Sequence, residues 1–214
     1  MPITSEYANR SLYHITHIDN LPDIIEHGLL STNERQRRRL GHTNIAYRDI
    51  QDRRSAMIVP CGYGGVVHDY VPLYFCKRCP MLLAIIYNQR VSEQQIIYLE
   101  FPIQILEHYH SVFTNRSANA SITPNFYDDT SNLINLNWNA IDTWSWGQQY
   151  DNEVDISQEK QAEALIYRTL PLDSLRRIVV RDSHCKVMVE ALLTQYSDNV
   201  SSVVIGGRNY YFTE

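Results

Sequence analysis

The sequence predicts an α+β fold on three observations. Strand-like and helix-like stretches follow one another without the regular strand-helix-strand alternation that builds a doubly wound sheet. With 214 residues, 44% hydrophobic and 20% charged, the chain suits one globular domain with a single sizeable core. No internal repeat divides it, and no second domain is required.

Leu12 to Thr16 (LYHIT) is short and rich in β-branched and aromatic residues, as a strand is. Asp19 or Asn20 can then cap a short helix with Pro22 in its first turn, Leu21, Ile24 and Ile25 on its buried face and Gly28 as its stop. This unit places His14 and Thr16 near the start of that helix. From Ser31 to about Pro60 the chain turns polar and Arg-rich, and Arg48 to Ser55, good helix formers without Gly or Pro, predict a helix. Gly62, Gly64 and Gly65 break the chain before Val71 to Phe75 (VPLYF), a buried strand. Pro80 to Tyr87 (PMLLAIIY) predicts a short buried helix opened by proline, and Ile96 to Phe101 (IIYLEF) another strand.

Asn115 to about Ile156 is long, poor in Lys and Arg, and crowded with Asn, Ser, Thr, Tyr and Trp. A loop this long within a compact domain is usually functional or disordered. Its aromatics, Phe126, Tyr127, Trp138, Trp144, Trp146 and Tyr150, argue against a solvating tail. Lys160 to Tyr167 (KQAEALIY) reads two ways: its residue types favour helix, while Ala162, Ala164 and Ile166 alternate as in a strand. Ile178 to Val180 predicts a strand, Ser183 to about Gln195 a helix, and Val203 to Phe212 a hairpin around Gly206-Gly207.

The net charge of −5 means that any nucleic-acid contact must come from a local patch. Arg35, Arg37, Arg38 and Arg39 with Arg48, Arg53 and Arg54 are one candidate, although such a run taken alone reads first as a solvated helix face or a mobile loop. The four cysteines, 61, 76, 79 and 185, suit free thiols of a cytoplasmic protein, and the lone Cys76-Lys-Arg-Cys79 lacks two further zinc ligands, so no metal is expected. No signal peptide or apolar run long enough to span a membrane is expected to direct the chain elsewhere. Familiar phosphate-cradling, dinucleotide, zinc-protease and hydrolase motifs are absent. What remains is dispersed: His14, Arg54, His68 with Asp69, Tyr74, and Glu163 in an otherwise uncharged segment. A carboxylate facing a core is costly unless paired or put to use, yet on a helix Glu163 could lie on the wet face.

The stretches LYHITHIDNLPDIIEHGLL, GGVVHDYVPLYFCKRCPMLLAI and KQAEALIYRTLPLDSLRRIVV, in that order, resemble the characteristic segments of the DarT family, toxins that attach ADP-ribose to DNA and are encoded with a macrodomain antitoxin. The resemblance runs from Tyr13 to Tyr210-Tyr211. It implies one ADP-ribosyltransferase domain over 1–214, with two facing β-sheets around an NAD⁺ cleft. It implies an NAD⁺-binding element over about 36–56 and a loop over about 116–163 that presents the acceptor. By position it implies NAD⁺ contacts from His14, Ile15 and Thr16 on the opening strand, from Asp23 and Ser31, and from Tyr74 and Met81 in the cleft. Arg54 matches the family's catalytic arginine, with Arg53 adjacent, and is implied to contact NAD⁺ as well; Glu163 matches the catalytic glutamate, which in this fold sits on a strand. The implied acceptor is a base of single-stranded DNA, thymine before guanine; the implied partner is an antitoxin of the DarG type, and a monomer is expected.

These residue types suit the reaction. Breaking the bond between nicotinamide and ribose leaves an electron-poor sugar, so a nearby carboxylate favours the transition state over the ground state. Arg54 is expected to stabilise the deprotonated acceptor nitrogen, a guanidinium being a poor base. The competing readings are the same fold acting on RNA or protein or hydrolysing NAD⁺, and a non-catalytic module that binds single strands.

Overall fold

The computed structural model describes residues 2–118, 122–146, 156–196 and 202–213. Along the chain they form β1 (Ser11–His17), α1 (Leu21–His27), β2 (Leu29–Leu30), α2 (Thr32–Arg38), α3 (Arg48–Ala56), β3 (Tyr70–Tyr74) and α4 (Pro80–Tyr87). There follow β4 (Ile96–Pro102), α5 (Ile105–His108), β5 (Ser111–Thr114), β6 (Phe126–Tyr127), α6 (Trp138–Asp142), α7 (Ile156–Lys160), β7 (Glu163–Tyr167), β8 (Thr169–Leu170), β9 (Arg177–Val180), α8 (Ser183–Tyr196) and β10 (Ser202–Ile205). The α+β expectation holds: the large sheet has the order β10-β9-β4-β1-β3-β7-β5-β6, and β2 pairs with β8 in a small second one.

The large sheet has two halves. β1 and β4 pair antiparallel over seven residues, from Ser11 opposite Pro102 to His17 opposite Ile96. β3 and β7 pair over five, from Tyr70 opposite Tyr167 to Tyr74 opposite Glu163. Between β1 and β3, however, the register holds a single pair, Tyr13 opposite Tyr74. Two four-stranded halves therefore meet at one residue pair, and Tyr13, Tyr74 and Glu163 lie in a row across three strands. β4 is buried from Ile96 to Phe101, as expected of an interior strand covered on both faces. Each fully buried Leu, Ile or Phe in it adds on the order of 1.5–3 kcal/mol of apolar burial.

Gly28 closes α1 with φ +74°, and a β-carbon there would stand 2.9 Å from the Leu170 carbonyl oxygen. Only glycine lets the chain turn that tightly from α1 into the β2–β8 ladder. The two-way segment from Lys160 divides: α7 ends at Lys160 and Glu163 opens β7, because antiparallel pairing with β3 overrides helix propensity.

The expected hairpin over Val203 to Phe212 does not form. β10 pairs parallel to β9, and the chain then turns through a short 3₁₀ segment, Gly207–Asn209. Tyrosines anchor the chain beyond that turn: Tyr211 Oη donates to the carbonyls of Ile96 (3.0 Å) and Val179 (3.1 Å), and Tyr210 Oη donates to Glu100 (2.8 Å). Gly206 is there for close approach, since a β-carbon would lie 2.6 Å from the Val179 side chain. The long section after Asn115 carries structure of its own. β6 pairs with β5, and Trp138 stacks on Tyr7 and meets Phe75 edge-on. Tyr150 lies outside the described residues.

Candidate active site

Glu163 is wholly buried, and Arg54 on α3 is buried with it. Arg54 Nη1 donates to both carboxylate oxygens of Glu163, at 2.9 and 2.8 Å. The Ala118 N–H donates to Glu163 Oε1 at 2.9 Å. The Glu163 backbone N–H donates to Thr114 Oγ at 3.2 Å, and the Thr114 hydroxyl donates to the Arg116 carbonyl at 2.7 Å. The carboxylate is thus gripped from α3 and from Ala118, while Thr114 at the end of β5 holds its backbone. A buried ion pair of this geometry is a poor source of net stability, so its presence points to chemistry rather than to folding.

Beside the pair opens a cleft of about 310 Å³. Of the residues expected at the cofactor, His14, Ile15, Thr16, Asp23, Arg54, Tyr74 and Met81 all line it. Ser31 does not: it is buried, and its hydroxyl accepts the Glu34 N–H (3.2 Å) as the cap of α2. Glu163 stands behind the cleft wall, with Arg54 between carboxylate and cavity. Of the segment expected to bind NAD⁺, 36–56, the cleft touches Gln36, the stretch around His42 and Ile45, and the α3 residues Ile50, Gln51 and Arg54.

The cleft chemistry is set by burial. His14 Nδ1 donates to the Pro72 carbonyl at 2.8 Å, which leaves Nε2 as an acceptor in the neutral ring. Burial lowers its pKa to about 4, against the Pro72 contact and with help from the Arg35 charge. His68 is lowered too, by burial first and then by the charges of Arg54 and Arg35. Burial, followed by the neighbouring Glu163 carboxylate, holds the Tyr74 phenol well above its ordinary value, so its hydroxyl is a donor.

The arginine run expected to form one patch is dispersed. Arg37 and Arg38 both bond Glu34, Arg53 bonds Asp49, Arg54 reaches Glu163, and Arg35 turns into the cleft. A second groove, of about 440 Å³, collects cations from distant parts of the sequence, among them Lys77, Arg78, Arg176 and Arg177. Trp144, 61% exposed, forms part of its wall, with the Arg78 guanidinium 4.9 Å from the Trp144 ring. Tyr13 lines this groove and its strand partner Tyr74 lines the cleft, so the two cavities flank the joint between the half-sheets.

Sequence reasoning missed three contributors. Thr114 belongs to a strand, Ser111 to Thr114, whose β-branched and aromatic residues could have revealed it. Ala118 acts through its backbone, which no side-chain pattern announces. Arg35 is one arginine in a run, and composition cannot single it out. Among the described residues no group of three His, Cys, Asp or Glu side chains is arranged to hold a metal ion, and no helix is long and apolar enough to cross a membrane.

Residues 13–212 match the family described as "ssDNA thymidine ADP-ribosyltransferase, DarT". A DNA ADP-ribosyl transferase of Thermus aquaticus is 33% identical, the match covering 94% of this chain and 88% of the relative. The fold superposes on Thermus sp. 2.9 DarT in complex with ADP-ribosylated single-stranded DNA with TM-score 0.85 at 33% identity, covering 98% of this chain and 99% of that one. It superposes on the same enzyme in complex with NAD⁺ with TM-score 0.79 at 31% identity, covering 98% and 100%. A chain whose buried carboxylate and arginine meet at the wall of a cleft, and which matches this family over nearly its whole length, belongs to the DarT family of single-stranded DNA thymidine ADP-ribosyltransferases.

Proposed function

We infer that this protein transfers ADP-ribose from NAD⁺ to thymine in single-stranded DNA, as a cytoplasmic toxin held in check by a macrodomain antitoxin of the DarG type. The observation that carries the reading is the Arg54–Glu163 pair, buried at the wall of a cleft that holds seven of the expected NAD⁺-contacting residues.

In the reaction the bond between C1′ of the ribose and the nicotinamide nitrogen breaks, and nicotinamide leaves with the electron pair. A ring nitrogen of the base forms the new bond to C1′ and releases its proton to solvent. Thymine within DNA has one ring N–H, N3, so that proton must go. Glu163 supplies the negative charge that favours the electron-poor sugar and can fix a ribose hydroxyl. Arg54 already bonds that carboxylate; within reach of the same atoms it steadies the incoming base as it loses its proton.

The acceptor reading is supported by the basic groove on the other side of the Tyr13–Tyr74 joint from the cleft. Arginines and lysines there can follow phosphates although the chain is acidic overall, and exposed Trp144 offers a face for a base, a stack worth about 1–3 kcal/mol by alanine substitution. The section over about 116–163, which contributes both Ala118 to the carboxylate and Trp144 to the groove, is read as the acceptor-presenting loop, and the chain as a single monomeric transferase domain.

The test is incubation with labelled NAD⁺ and single-stranded DNA, RNA and protein acceptors, followed by mass spectrometry of any adduct. Label on thymine of DNA is expected, and Glu163→Ala should abolish it. Label on RNA or protein alone overturns the acceptor, and full activity in Glu163→Ala removes the assigned centre.

A further inference from the structure

We propose that Arg35 is the anchor for the diphosphate of the bound dinucleotide, a binding role that rests on the NAD⁺ reading of the cleft and is separate from the Arg54–Glu163 centre. Arg35 sits on α2, half-buried, and lines the cleft. Its neighbours on the helix are already engaged: the Glu34 carboxylate accepts from Arg37 Nε (2.9 Å) and Nη2 (2.6 Å) and from Arg38 Nε (2.7 Å). Among the described residues, no carboxylate or other acceptor meets the Arg35 guanidinium, whereas Arg54, the other arginine of the cleft wall, commits Nη1 to Glu163. Asp23 also lines the cleft but makes no ion pair with Arg35.

A half-buried cation without a partner is costly, and a ligand anion removes that cost. The fork of guanidinium donors matches phosphate oxygens in pairs. Arg35 shares the cleft wall with His14 on β1, with His68 and with Arg54, and its charge reaches both histidines.

The experiment follows the melting temperature of wild type, Arg35→Lys and Arg35→Ala with and without ADP-ribose, together with KM and kcat for NAD⁺. Without ligand, Arg35→Ala should melt close to the wild-type temperature, because no internal hydrogen bond or ion pair of the guanidinium is lost. Its ADP-ribose-induced rise should vanish, KM for NAD⁺ should increase on the order of 10- to 100-fold with kcat within about threefold, a range corresponding to loss of one charged contact, and Arg35→Lys should recover part of the loss. A ligand-induced rise equal to wild type, or a kcat loss with KM unchanged, overturns the anchor. A fall in the ligand-free melting temperature of Arg35→Ala marks a structural residue and overturns it as well. If wild type itself shows no rise with ADP-ribose, the NAD⁺ reading of the cleft fails rather than the placement of Arg35.

Discussion

Replacing Arg54 by alanine should unfold this protein more readily than any surface change, although an active-site arginine is removed. The Glu163 side chain has no exposed surface and that of Arg54 only 8%, with Nη1 at 2.9 and 2.8 Å from the two oxygens. In Arg54→Ala the carboxylate keeps the Ala118 N–H and loses its counter-charge. Breaking one partner out of a buried pair typically costs about 3–5 kcal/mol. At about 2–4 °C per kcal/mol for a chain of this size, the melting temperature should fall by roughly 6–20 °C. Glu163→Gln keeps the shape and an oxygen for the Ala118 N–H, so the double variant Arg54→Ala/Glu163→Gln should regain part of the loss. A coupling of about 1–3 kcal/mol between the two positions is expected. The assay is denaturant unfolding of the four proteins as a double-mutant cycle. Activity cannot report the pair, since every variant should be inactive. An Arg54→Ala protein within about 0.5 kcal/mol of wild type, or strict additivity, would refute the reasoning and leave the two side chains independent.

His14 gives the chain a pH dependence whose sign is set by its lowered pKa of about 4. Between about pH 6.5 and 4 the unfolded chain binds a proton at His14 that the folded chain refuses, so stability is complete above that window and is lost as pH falls through it. Urea midpoints from pH 7 to 4 should drop more steeply for wild type than for His14→Gln, by on the order of 1–3 kcal/mol, and parallel curves would show that His14 is not the group responsible. Trp144→Ala removes an exposed ring, so affinity for single-stranded DNA should fall about 5- to 100-fold while the melting temperature and NAD⁺ binding stay put. Loss of NAD⁺ binding in the same variant would place Trp144 in the cofactor site instead.

Local pattern determined much of this protein. Proline, glycine and apolar spacing placed α1 and α4 within a residue of their ends, and the β-branched runs placed β1, β3 and β4. These signals are read over a few residues, and steric preference and burial act on that same scale. The resemblance named the centre, but residues 54 and 163 are 109 apart in the chain, and their contact exists because β3 accepts β7 in one register while α3 packs across its end. Glu163 on a strand, the parallel pairing that replaced the expected hairpin and the scattering of the arginine run were settled the same way. Each depends on which partner a segment meets across the fold, and local propensities of a few tenths of a kcal/mol per residue yield to ladders and buried contacts that are stronger.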